Sequence, residues 1–384
     1  MRTRHTISRL ALVAMGALAG LVAGEVAARL LGPSFQVVFR DSIAPSDDPV
    51  LGYELRPGAR DGKHRINAAG MRDHEVSPRK PPDAWRLAVI GDSIAYGSGV
   101  SQDGAFAKQL EALYAESQGD ARPRIEVLNF GVPGYNVSQV VERLRTRALP
   151  FEPDAVLYAY ALNDPQAFSI EAEALRRLRD DLEPTTTSTA SRWLAHSHLY
   201  LLARRVVLER RSQAALRASM PNDPAYEAAR SGDRARYFRT IHTEGESAAR
   251  LARGLDDLAA LARDRHLPVI VVLFPLFQRD GASGPEALAD VHARLAAEAE
   301  RRDLRVLDLL PVYQAATRAL GSDLAVDFMH PDAIGHRVAA FAILRWLCAH
   351  EGPAATAPAC TRPPATPVDA AIARVVDQAL AASR

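Results

Sequence analysis

Five short apolar runs constrain this chain more than any other feature: Leu87 to Ile90, Ile125 to Leu128, Ala155 to Tyr160, Val269 to Phe274 and Leu304 to Leu309. Each has the length and β-branched content of a buried strand. Beside them the apolar residues recur at helical spacing. Phe106, Leu110, Leu113 and Tyr114 share one face of a helix, as do Val137, Val140, Val141 and Leu144, and Leu251, Leu255 and Leu258 continue the theme. Strands that alternate with helices form a parallel sheet with helices on both faces. The expected fold class is therefore α/β, a three-layer αβα sandwich around a five-stranded parallel sheet, at about residues 85–347.

The connection between the third and fourth runs, from about 165 to 250, is far too long for one crossover and reads as a helical insertion. It contains a Thr/Ser-rich break at 184–191 and then Trp193 to Leu208, whose large apolar residues end in Arg204 and Arg205, with Arg210 and Arg211 beyond. A helix packed on the sheet domain and a lid or acyl-binding wall on a membrane surface both fit that composition. Residues 33–84, rich in Pro, Gly and charge, form a lead-in segment packed on the main domain. In the tail, 348–384, a Pro-rich stretch precedes Ile372, Val375, Val376 and Leu380, which outline one amphipathic helix. Basic and acidic residues number 47 and 46 and are spread along the chain, so nucleic acid is excluded as a partner.

Arg2, Arg4, His5 and Arg9 precede an uncharged run from Leu10 to Gly24, the composition of an export signal. Continued to Leu31, with Glu25 and Arg29 near the interface, the segment 1–32 reaches the length of a membrane-crossing helix. The expectation is a single-pass anchor in the inner membrane with the remainder on the periplasmic or extracellular side. Cleavage at Ala17-Leu18-Ala19 and secretion is the alternative. Two cysteines occur, Cys348 and Cys360; in an oxidising compartment a bridge between them would tie down the tail, while the other reading is two unrelated thiols. No Cys/His cluster has metal-ligand spacing, and neither a metal nor another cofactor is expected.

The first run is followed by GDSIAYGSG, residues 91–99. A phosphate loop would need a Lys before a Ser or Thr, and a dinucleotide fingerprint would need glycines spaced G-x-G-x-x-G; neither is present. What remains is Ser93 at the carboxyl end of the first strand, where open α/β sheets place their ligand sites. A serine hydroxyl needs a base, a group to orient that base and donors for an oxyanion. VDFMHPDAIGH, residues 326–336, follows the fifth run and sets Asp327 three residues before His330, a spacing at which one short turn brings carboxylate to imidazole. His336 lies along the helix opened by Pro331-Asp332 and reads as structural. After the second run NFGVPGYN places Gly131, whose backbone N–H can approach a substrate closely, and after the third YALNDP places Asn163, a side-chain amide donor.

In this order the four stretches resemble the SGNH hydrolases, the GDSL-like esterase and lipase superfamily, whose four blocks supply Ser, Gly, Asn and His. The matching residues are Ser93 in GDSI, Gly131 in NFGVPG, Asn163 in LNDP, and Asp327 with His330 in DFMH. The resemblance covers about 85–347 apart from the insertion. It implies a flavodoxin-like sheet, with Ser93 as nucleophile, His330 as base and Asp327 as its orienter. The oxyanion would be held by the N–H groups of Ser93 and Gly131 and the Asn163 side chain, with Asp92 and Asp164 as adjoining carboxylates. Ala161 stands where the usual GxND has glycine, and Ile94 where the namesake pattern has leucine. INAAGMRD, residues 66–73, is similar to a stretch found ahead of this domain in membrane-anchored bacterial members.

The expected activity is that of a serine-dependent acyl-ester hydrolase working through an acyl-enzyme, on envelope or small acyl and acetyl esters, an acylated glycan among them. Two rivals keep the same fold. One passes the acyl group to an envelope polysaccharide as an O-acyltransferase, and the other is a non-catalytic polysaccharide-binding scaffold.

Overall fold

The computed structural model describes residues 2–31, 42–61, 64–118, 123–166, 197–200, 202, 203, 206, 207, 210, 224–277, 288–350 and 352–382. The chain forms two compact units, Met1–Asp41 with Phe168–Pro221, and Ser42–Ala167 with Asn222–Arg384.

In the first unit, helix α1 runs from Arg2 to Leu31. The membrane-crossing helix expected in 1–32 is not met: among the described residues no helix is long and apolar enough to cross a membrane. Near its carboxyl end α1 carries two charged residues, Glu25 and Arg29. Glu25 pairs with Arg29 at 2.8 Å and accepts hydrogen bonds from the Ser197 hydroxyl and the N–H groups of His198 and Leu199.

The second unit opens with two small antiparallel pairs, β1 (Ile43–Pro45) with β2 (Tyr53–Leu55), and β3 (Arg60–Asp61) with β4 (His64–Arg65). There follow β5 (Ala84–Gly91), α2 (Ser93–Tyr96), α3 (Phe106–Gln118), β6 (Arg124–Asn129), α4 (Val137–Arg143) and β7 (Ala155–Tyr160). Beyond the first unit's share of the insertion come α5 (Pro224–Arg230), α6 (Arg234–Thr243), α7 (Gly245–Arg265), β8 (Val269–Leu273), α8 (Ala289–Glu300) and β9 (Arg305–Asp308). The chain then continues through α9 (Leu310–Leu320), α10 (Ala333–His350), α11 (Gly352–Ala355) and α12 (Pro367–Ala382).

Strands β5 to β9 make one parallel sheet of order β6-β5-β7-β8-β9. Numbered among themselves the five strands read 2-1-3-4-5, the flavodoxin-like arrangement. Its order reverses at β5 and β7, so a crevice opens beyond their carboxyl ends.

Alternate residues of each strand feed opposite cores, as the two-residue repeat of a strand requires. Leu87, Val89, Val127, Leu157 and Val272 pack beneath α3, α9, α10 and α12. Ala88, Ile90, Leu128, Val156 and Val271 face α4, α7 and α8, and on that side the segment before β5 adds Leu51, Leu55, Ile66 and Met71 to the core. The tail is fastened by a disulfide between Cys348 and Cys360, whose Cα atoms are 5.5 Å apart, and by ion pairs of Arg337 with Asp369 and Arg345 with Asp377.

Candidate active site

Strand β5 delivers the chain to a one-turn helix, and the residue between them, Asp92, caps it. One Asp92 oxygen accepts the N–H of Ile94 at 3.0 Å, which leaves Ser93 as the first residue of α2 at the crevice. The backbone turn thus fixes where the hydroxyl points.

The other half of the site comes from the loop between α9 and α10. Asp327 Oδ1 accepts the N–H groups of Met329 at 2.8 Å and His330 at 2.9 Å, which closes a short turn. That turn brings the imidazole back onto its own carboxylate, with His330 Nδ1 at 2.8 Å from Asp327 Oδ2. His330 Nε2 then lies 2.8 Å from Ser93 Oγ, across 237 positions of sequence. With Nδ1–H donating to the carboxylate, Nε2 is left as an acceptor for the serine proton. Burial pushes the Asp327 carboxyl up, but the hydrogen bond and charge of His330 and the two backbone N–H groups outweigh it and hold the pKa at about 2.

Of the expected oxyanion donors, Ser93 and Asn163 stand at the mouth of the crevice, at the ends of β5 and β7. The Asn163 amide gives one N–H to Asp92 Oδ2 at 3.1 Å and retains the other. Gly131 departs from the expectation. Its N–H donates to Asn129 Oδ1 at 3.0 Å, and a Cβ there would lie 2.3 Å from the Tyr96 amide nitrogen and 2.7 Å from the Ala95 carbonyl carbon. This glycine lets the loop after β6 lie against α2 and is not open to a substrate. Gly134, three residues on, is partly exposed and adopts φ 79, in the left-handed region.

The two adjoining carboxylates differ. Asp92 accepts from Asn163 and Ile94, and its Oδ2 lies 3.2 Å from Ser93 Oγ. Asp164 is fully buried, and both burial and the charge of Asp92 push its pKa well above the carboxylate range; its Oδ2 accepts from the Tyr158 hydroxyl at 2.6 Å. His336 is wholly buried, and its Nδ1 accepts the Phe106 N–H at 3.2 Å, which is the structural role read from its place in the helix. Among the described residues no group of three or more His, Cys, Asp or Glu could hold a metal ion.

Of the insertion, Trp193 and the Thr/Ser-rich break lie outside the described residues. Its last helices, α6 and α7, pack beside the sheet, and the Arg234 guanidinium lies 4.4 Å over the ring of Phe328, between Asp327 and His330 in sequence.

A serine, histidine and aspartate linked in this way, at the switch point of a flavodoxin-like sheet, are the machinery of acyl transfer. The model of the GDSL-like Lipase/Acylhydrolase family matches residues 89–338. The chain belongs to this family. The acylhydrolase is accordingly a carboxylic ester hydrolase. Among solved structures it is similar to LAE5, an alpha/beta hydrolase enzyme from the metagenome of Lake Arreo, Spain, at 18% identity and TM-score 0.39, over 74% of this chain and 99% of that one. A catalytic mutant of Axe2, an acetylxylan esterase from Geobacillus stearothermophilus, matches at 16% identity and TM-score 0.39, over 70% and 95%. The psychrotrophic esterase EstA from Pseudoalteromonas sp., inhibited by monoethylphosphonate, matches at 14% identity and TM-score 0.36, over 68% and 98%. No curated protein matches the acylhydrolase.

Proposed function

We propose that the chain cleaves acyl esters through a covalent acyl-enzyme on Ser93, and that its substrates are acetyl or other small acyl esters of envelope glycans. The observation that carries this reading is the unbroken hydrogen-bonded line from Asp327 through His330 to Ser93 Oγ, with both links at 2.8 Å.

In the first half-reaction the Ser93 proton passes to His330 Nε2 as Oγ attacks the ester carbonyl carbon. The carbonyl π pair moves onto its oxygen, and that oxyanion is met by the Ser93 N–H, the remaining Asn163 N–H and the N–H of Gly134. Collapse breaks the bond to the alcohol oxygen, which leaves with the proton from Nε2. Water repeats the sequence on the acyl-serine and releases the acid. Asp327 stays ionised throughout and stabilises the imidazolium that forms twice in each cycle.

The place of action is proposed as the outer side of the inner membrane. The basic residues Arg2, Arg4 and Arg9 ahead of an uncharged run support export, and the paired Cys348 and Cys360 fit an oxidising compartment.

The test is turnover of p-nitrophenyl acetate by the full chain, followed by acetate release from an O-acetylated glycan. Ser93→Ala and His330→Ala are each expected to lower kcat by roughly a thousandfold or more while remaining folded. Turnover retained in Ser93→Ala would contradict the mechanism. Acyl groups found on an added glycan acceptor, in place of free acid, would reassign the second half-reaction to transfer.

A further inference from the structure

We propose that the segment ahead of the sheet is a working part of the active site, in which Arg72 and Tyr53 act as positioning residues for the two turns that carry the reacting groups. The inference rests on Ser93 as the nucleophile.

INAAGMRD, residues 66–73, closes on itself. Asn67 Oδ1 accepts the N–H groups of Ala69 and Met71 at 3.0 and 2.9 Å, and Asn67 Nδ2 donates to the His74 carbonyl at 2.7 Å. Its seat on the domain is made by other groups. Ile66 and Met71 are fully buried, the Gly70 carbonyl accepts from Arg143 at 2.7 Å, and Asp73 pairs with buried Lys108 at 2.6 Å and accepts the Asn129 N–H at 2.9 Å.

Arg72 is 3% exposed, and its guanidinium reaches the turn that leaves the nucleophile. Nη1 donates to the carbonyls of Tyr96 at 2.9 Å and Gly97 at 2.7 Å, Nη2 donates to that of Val100 at 2.7 Å, and the group lies 4.7 Å over the Tyr96 ring. A helix of one turn cannot satisfy the carbonyls at its own carboxyl end, and here a cation gathers two of them with a third from the loop beyond. The planar fork supplies that geometry, and an ammonium does not.

Tyr53 treats the second turn in the same way. Its hydroxyl donates to the Pro133 carbonyl at 2.7 Å, beside Gly134, and its own carbonyl accepts from the Tyr135 hydroxyl. Loop 130–135 is therefore gripped from outside at the carbonyl of the very peptide whose N–H, that of Gly134, is the proposed oxyanion donor. The stretch 66–73 is seated by Asp73, Ile66, Met71 and Gly70, and the strand of Tyr53 by Leu51 and Leu55, so the bonds of Arg72 and Tyr53 add to that docking and bear on the placement of Ser93 and the loop.

The experiment measures kcat, KM and thermal midpoint of the full chain on p-nitrophenyl acetate for Tyr53→Phe, Arg72→Lys and Arg72→Met, with fluorophosphonate labelling of wild-type Ser93 alongside. Positioning predicts that Arg72→Met lowers kcat at least tenfold with KM within twofold, that Arg72→Lys recovers part of it, and that Tyr53→Phe lowers kcat severalfold with an unchanged midpoint. If Arg72→Met does not fold, Tyr53→Phe and Arg72→Lys decide. Wild-type kcat in both of these, or losses of kcat that only track the folded fraction, would overturn the assignment. A wild-type Ser93 that resists labelling would overturn the nucleophile reading itself, and that outcome is separate from the first.

Discussion

At the scale of single residues, Asp327 decides which nitrogen of His330 carries the proton. Its Oδ2 meets Nδ1 at 2.8 Å, so the proton sits there and Nε2 is open to the serine. In Asp327→Asn the amide would either place an N–H against Nδ1, forcing the proton onto Nε2, or keep an oxygen there without the charge that stabilises imidazolium. The expected result is a fall in kcat of about a hundredfold to ten-thousandfold with KM little changed, measured on p-nitrophenyl acetate. Ser93, Asp327 and His330 were legible in the sequence because their chemistry is tied to short spacings and to strand ends. The part played by Gly131 was not, because nothing in NFGVPGYN tells that Asn129 Oδ1 takes its N–H at 3.0 Å. Arg72 and Tyr53 were likewise out of reach, since their partners are backbone carbonyls 24 to 80 positions away.

At the scale of elements, α10 links the triad loop to α3 through His336. This imidazole is held neutral by burial, with the His330 and Arg72 charges adding to the effect, and its pKa falls from 6.5 to about 3. Between those two values the unfolded chain binds the proton and the folded chain does not. Stability contributed at this site therefore falls as pH drops from about 6.5 towards 3 and is unaffected above that window. His336→Asn keeps an acceptor for the Phe106 N–H without the titration. The stability of wild type relative to that variant is expected to rise between pH 5 and pH 7, read by denaturant unfolding; a difference independent of pH would contradict the account. The strands themselves were nearly complete in the sequence, yet β5 begins three residues before its apolar run. Arg86 hid its start: it is 1% exposed, paired with Glu126 at 2.7 Å and donating to the carbonyls of Ser77, Pro78 and Phe151.

At the scale of the whole molecule, a segment that composition marks as a lead-in contributes Leu51, Leu55, Ile66 and Met71 to one core, and the tail contributes Ile372, Ala373 and Val376 to the other. The bridge between Cys348 and Cys360 closes a loop of sequence separation 12, so Cys348→Ser with Cys360→Ser is expected to lower stability by about 3 kcal/mol while kcat stays within twofold. An unchanged denaturation midpoint would show that the tail is held by its packing and ion pairs alone. The central claim is that Ser93 is a nucleophile activated by His330, and fluorophosphonate labelling of the full chain with mass spectrometry of the modified peptide tests it most directly. The account predicts one adduct, on Ser93, formed in wild type, lost in Ser93→Ala and strongly slowed in His330→Ala. A folded wild type that takes no adduct, or takes it on another residue, would contradict it.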